Sequence, residues 1–89
     1  MKPTNKPITV RYKKLGRERV LGLADLDSNT IIIDPRQPSQ ELMGTMVHEC
    51  IHLLASEMGN PDWPENEVLE WESRITKVLW DAGYRKVVD

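Results

Sequence analysis

Residues 41–58 read Glu41-Leu42-Met43-Gly44-Thr45-Met46-Val47-His48-Glu49-Cys50-Ile51-His52-Leu53-Leu54-Ala55-Ser56-Glu57-Met58, and the rest of the chain is best understood from this stretch outward. Leu42, Met43, Met46, Val47, Ile51, Leu54 and Met58 recur at steps of three and four, the period at which a helix buries one face. Pro38 keeps the preceding chain non-helical, Ser39 offers an N-cap, and Gly59-Asn60-Pro61 is a stop signal. Within the helix, His48-Glu49-Cys50-Ile51-His52 spells H-E-x-x-H and uses the chain's only two histidines. Positions i and i+4 share a helix face, so both imidazoles can reach one Zn²⁺, with Glu49 beside it. The histidines flank the apolar stripe, at the edge of the core rather than in open water. Gly44 costs a helix about 1 kcal/mol relative to alanine and is expected to admit a closely packed strand.

Upstream, Ile8, Val10 and Tyr12 alternate with Thr9, Arg11 and Lys13, the period of a half-buried strand. Residues 14–17 form a turn, and Val20, Leu21 and Leu23 mark a second strand ending near Asp25. Asp27-Ser28-Asn29 turns the chain into a β-branched third strand, Thr30-Ile31-Ile32-Ile33-Asp34, stopped by Pro35. Strands two and three are expected to pair as a hairpin. Downstream of the first helix, a loop over 59–64 leads to a second helix from Glu65 to about Ala82, ended by Gly83. Its apolar residues Val68, Trp71, Ile75, Val78, Leu79 and Ala82 define the expected buried stripe. Trp71 and Trp80 are expected to fill the core between helix and sheet. Residues 84–88 read as a closing strand or docked tail, and 1–7 as a mobile lead-in. The sum is a single α+β domain over 1–89: a small antiparallel sheet of three strands followed by two helices on one face, β-β-β-α-α.

Composition narrows the function. The chain has 89 residues, a net charge of −2 and no basic block, which gives no support to nucleic-acid or membrane-surface binding. One cysteine excludes an internal disulfide and fits a reducing compartment; with no signal peptide or transmembrane stretch evident, a cytoplasmic location is expected. Cys50 lies two residues from each histidine, faces elsewhere on the helix, and reads as a buried thiol.

A catalytic zinc takes three protein ligands and keeps a position open for water. With no third histidine, the third ligand should be a carboxylate of the second helix. At 100° per residue, Glu70 lies opposite the apolar stripe, Glu67 borders one flank, and Glu65 and Glu72 share the other. Residue types alone leave the choice between these flanking glutamates open.

The pattern resembles small phage and bacterial zincin-like proteins related to the ImmA/IrrE and SprT-like metallopeptidases. The likeness is carried by Ile8–Tyr12, Leu21–Asp25 and Thr30–Asp34 as three strands, by Thr45–Leu54 as the motif helix, and by Glu65–Val68 with Ile75–Arg85 as a glutamate helix and its end. It implies Glu65 as the third ligand, three residues before Val68 and six before Trp71. The likeness departs at the seventh position, where Glu72 replaces an apolar residue, so Glu72 is either a supporting carboxylate or the ligand itself.

The expected activity is hydrolysis of peptide bonds by a Zn²⁺-activated water, with His48, His52 and Glu65 as ligands, Glu49 as general base, and a peptide or protein as substrate. The alternatives are a zincin-fold zinc module that binds and regulates a protein without useful turnover, and a domain in which zinc serves folding alone. Glu49 argues against the last, since structure needs only the ligands. Tyr12 and Tyr84 are candidate oxyanion donors, and the edge of strand Thr30–Asp34 is a candidate partner for an extended peptide.

Overall fold

A computed structural model describes residues 7–16 and 20–84. The mobile lead-in, part of the first turn and the closing tail expected from sequence fall wholly or mostly outside these residues.

Three strands, β1 (Thr9–Tyr12), β2 (Gly22–Asp25) and β3 (Thr30–Ile33), precede two helices, α1 (Ser39–Glu57) and α2 (Glu65–Asp81), in the expected α+β order. The β2–β3 hairpin is antiparallel, pairing Gly22 with Ile33 and Asp25 with Thr30. Asn29 takes a positive φ of 54° at the turn, and Asp25 Oδ1 accepts the N–H of Asp27 at 3.1 Å. β1 departs from the all-antiparallel expectation. It lies parallel to β3, Thr9 beside Thr30 and Tyr12 beside Ile33, which makes the sheet order β1-β3-β2. Side-chain alternation has the same period in either direction, so it marks a strand without fixing its orientation. β3 is therefore central rather than an edge, and Ile31 and Ile33 are fully buried.

After β3 the chain is pinned at Asp34. This buried carboxylate accepts the N–H of Leu15 (3.0 Å), the N–H of Arg36 (3.0 Å), and the Arg36 guanidinium through Nε (2.9 Å) and Nη2 (2.6 Å). The knot fixes the exit of β3 and the entry to α1. Pro38, not Ser39, occupies the N-cap, and no side chain caps the helix. Proline's fixed φ serves there, since Pro38 C=O already accepts the N–H of Leu42 at 2.8 Å.

α1 is the middle layer. It packs on β2 and β3 on one side and on α2 on the other, and among the described residues α2 makes no contact with the sheet. The two-helices-on-one-face expectation is corrected accordingly. This placement explains why α1 is apolar over more than one stripe. Leu42 and Leu53 join Ile31 and Ile33 in the core, with Ile8, Tyr12, Met46 and Cys50 against them. Leu53 is buried where Leu54 was expected; Leu54 and Met58 are exposed.

α2 is rotated relative to its apolar pattern. Its buried residues are Val68 and Thr76, whereas Trp71 is 51% exposed and Val78 67%. Trp71 is therefore no core filler; its ring lies against Trp63 at a centroid distance of 6.1 Å. The residues turned inward instead include Glu72. Gly44 of α1 lies against this face: a Cβ there would stand 3.1 Å from Glu72 Oε2 and 3.7 Å from Thr76 Oγ1. The helix glycine thus admits α2, not a strand. Among the described residues, no helix is long and apolar enough to cross a membrane.

Candidate metal centre

The three candidate ligands converge. His48 and His52 lie one turn apart on the α2-facing side of α1, and Glu65 stands in the first turn of α2. Glu65 Oε1 is 2.9 Å from His48 Nε2, and its Oε2 is 3.1 Å from His52 Nε2. The two Nε2 atoms are 3.1 Å apart. All three side chains offer a ligand atom within 4.8 Å of the others. Ligands held 2.0–2.2 Å from a tetrahedral zinc stand about 3.3–3.5 Å from one another. An outward shift of a few tenths of an ångström therefore accommodates the ion, and two imidazoles with one carboxylate is the donor set of a hydrolytic zinc. Glu67 and Glu70 lie elsewhere, on the exposed side of α2 with Trp71 and Arg74.

Glu72 reaches the same histidine from behind. Its Oε1 is 2.9 Å from His48 Nδ1. A carboxylate can only accept, so the contact makes Nδ1 the donor to Glu72 and leaves Nε2 as the ring atom that would hold a metal ion together with His52 and Glu65. Carboxylates in this position orient ligand histidines and raise their basicity.

Glu49 is not among the converging donors. It points to the opposite side of His48, toward β2, where a Cβ on Gly22 would stand 3.3 Å from Glu49 Oε2 and 3.1 Å from its Cγ. Burial pushes the Glu49 carboxyl above its ordinary value, opposed by the neighbouring His48 and His52 and reinforced by the charges of Glu65 and Glu72. A cleft of about 310 Å³ opens here, lined by Val20, Leu21, Gly22, Thr45, His48, Glu49 and Glu72. β2 is the sheet edge bordering this cleft, the place the sequence reading gave to Thr30–Asp34.

Gln37 braces the cleft's far end. Its Nε2 donates to Asp34 C=O (2.9 Å) and Leu21 C=O (3.2 Å), and its Oε1 accepts the Thr45 hydroxyl at 2.6 Å. Nothing in the sequence singles out Gln37. Gly22 carried a readable signal, because a glycine inside a strand pattern marks close approach.

The other candidates fall elsewhere. Cys50 is only half-buried, against the core cluster, and that burial raises its thiol pKa, as for an unreactive cysteine. Tyr12 packs against the same cluster. Tyr84 lies nineteen residues beyond Glu65, about 28 Å along a helix, and is 64% exposed. Neither tyrosine is placed to serve as an oxyanion donor at His48.

Compared with known proteins, the chain matches no family model, no curated protein and no solved structure.

Proposed function

We propose that the chain is a zinc-dependent peptidase domain of the His-His-Glu type. The observation that carries this reading is the division of labour around His48. Its Nε2 converges with His52 Nε2 and Glu65, its Nδ1 is held by Glu72, and Glu49 is left outside the ligand set beside a cleft. Zinc bound at His48, His52 and Glu65 would supply an acidified water and polarise a scissile carbonyl. Glu49, left free of the ligand set, would act as the proton acceptor for such a water and as the donor to the leaving amine. Its raised pKa suits this, because a general acid–base works best when its pKa approaches the working pH. Gly22 lets the edge of β2 lie close over Glu49, where an extended peptide could add main-chain hydrogen bonds.

A second reading, a zinc module that binds a protein without turnover, draws on one observation. Among the described residues lining the cleft there is no arginine, lysine or tyrosine to stabilise an oxyanion.

Metal analysis of chelator-free protein should find about one zinc per chain, lost in His48→Ala and His52→Ala. Protein that neither carries nor takes up zinc would sink both readings. A quenched-peptide library then separates them. Cleavage by the zinc-loaded chain, reduced at least about 100-fold in Glu49→Gln with zinc retained, supports the peptidase; zinc binding without cleavage supports the binding module.

A further inference from the structure

The rotation that turns Glu65 and Glu72 toward α1 leaves the most apolar strip of α2 outside the fold. Trp71, Arg74, Ile75, Val78 and Leu79 line a shallow apolar hollow of about 230 Å³. Beside it, Glu67, Glu70, Trp71 and Arg74 line a second hollow of about 360 Å³. Two of the three charges of this second hollow, Glu67 and Arg74, are placed symmetrically. Glu67 lies three residues before Glu70, and Arg74 three residues after Trp71, so opposite charges stand equally far from the point between Glu70 and Trp71.

We propose that this face is a homodimer interface, with α2 packed antiparallel against α2 of a second copy about a two-fold axis between Glu70 and Trp71. In that arrangement Glu67 meets Arg74 of the second copy, twice by symmetry, and the two Trp71 rings lie across the axis. Trp63, in ring contact with Trp71, falls opposite Val78 of the second copy. A parallel arrangement would oppose Glu67 to Glu67 and Arg74 to Arg74, so the charge pattern selects the antiparallel one. Arg74 is free to make the contact. Its pair with Glu70 in the same helix is 3.6 Å long between side chains 79% and 69% exposed, a loose interaction that costs little to exchange. Tryptophan and arginine are also the side chains that most often anchor an interface. The seventeen residues of α2 span about 25 Å. A side-by-side pair of that length falls at the small end of stable interfaces, so a dissociation constant on the order of micromolar is expected. Glu65 and Glu72 face α1, so the dimer leaves the metal centre and its cleft open.

Sedimentation velocity of the 89-residue chain over about 1–200 µM tests this. The expected result is a monomer–dimer equilibrium. Glu67→Arg and Arg74→Glu should each weaken it at least about tenfold, and the double reversal should return it to within about threefold of the original. Trp71→Ala should weaken it as well. All of these residues are exposed, and far-ultraviolet circular dichroism checks that each variant is folded. A monomer at every concentration overturns the proposal. So does a dimer indifferent to Trp71→Ala and the single reversals, or one that the double reversal fails to restore.

Discussion

Glu72 Oε1 lies 2.9 Å from His48 Nδ1, while Glu65, seven residues earlier on the same helix face, lies 2.9 Å from the same ring's Nε2. One histidine is thus held between two carboxylates with different chemical parts. The one at Nε2 shares the convergence point with His52, so under the proposed function it would be the metal ligand and the other would orient the ring. Glu72→Ala should lower zinc affinity about 10–100-fold, the usual cost of losing a carboxylate behind a ligand histidine. Glu65→Ala should lower it further, and Glu72→Gln, which keeps an acceptor, should fall between Glu72→Ala and the parent. Competition against a chromophoric chelator measures all three. If Glu72→Ala proves the more damaging alanine variant, Glu72 is the ligand and Glu65 the support.

Gly22 sets the distance between the sheet edge and Glu49. A Cβ at this position would stand 2.6 Å from Thr45 Cγ2 and 3.1 Å from Glu49 Cγ. The first contact is shorter than any real methyl contact, so β2 or α1 must move. Gly22→Ala should destabilise the fold by about 1–3 kcal/mol, as overpacking typically does, and displace Glu49. Urea denaturation reads the stability. Any peptidase activity should fall more steeply than zinc affinity, because the ligands lie on the side of α1 facing α2. Unchanged stability and activity would mean that β2 yields freely here.

Asp34 makes the fold sensitive to acid. The Arg36 guanidinium and the N–H groups of Leu15 and Arg36 hold its carboxyl well below the ordinary 3.8. A carboxyl whose pKa is depressed by folding stabilises the folded state at pH values above its unfolded pKa. That contribution is lost as pH falls below about 4 toward the folded value. Asp34→Asn should therefore be less stable than the parent at neutral pH, with the difference shrinking in acid. Urea midpoints between about pH 6 and about pH 2.5 test it; a difference constant with pH would assign the effect to lost packing instead.

Which parts of this molecule could be read from the chain follows from what each pattern encodes. Period-two and period-3.6 patterns record burial along one element, so β1, β2, β3, α1 and α2 all appear close to their expected places. Neither pattern records what the element is buried against. The patterns therefore do not encode the parallel orientation of β1 or the position of α1 as a layer between sheet and α2. The juxtaposition of His48 and His52 is legible because both lie within about one turn of one helix. Glu65 was reachable only through resemblance, since its partners are 13 and 17 residues away on another element. The buried face of α2 departs furthest from the sequence expectation. The strip through Trp71 and Val78 is the more apolar, yet it is exposed, while Glu65 and Glu72 both contact His48 on α1.

That rotation has a consequence at Thr76. Four residues after Glu72, it is carried onto the same face and into the α1–α2 contact opposite Gly44, where it is only 7% exposed. Its Oγ1 is inaccessible to solvent and has no hydrogen-bond partner. A buried hydroxyl in that state costs about 1–3 kcal/mol of desolvation. Valine has nearly the same shape, a similar helix propensity and the same branching at Cβ, so it can replace threonine without moving α2. Thr76→Val should raise the unfolding free energy by about 1 kcal/mol, read from the urea midpoint at unchanged slope. Zinc affinity should stay within about twofold, because the Thr76 hydroxyl makes no hydrogen bond to His48, His52 or Glu65. A loss of stability would show that the hydroxyl has a partner in solution. A loss of zinc affinity with stability unchanged would place Thr76 in support of Glu72.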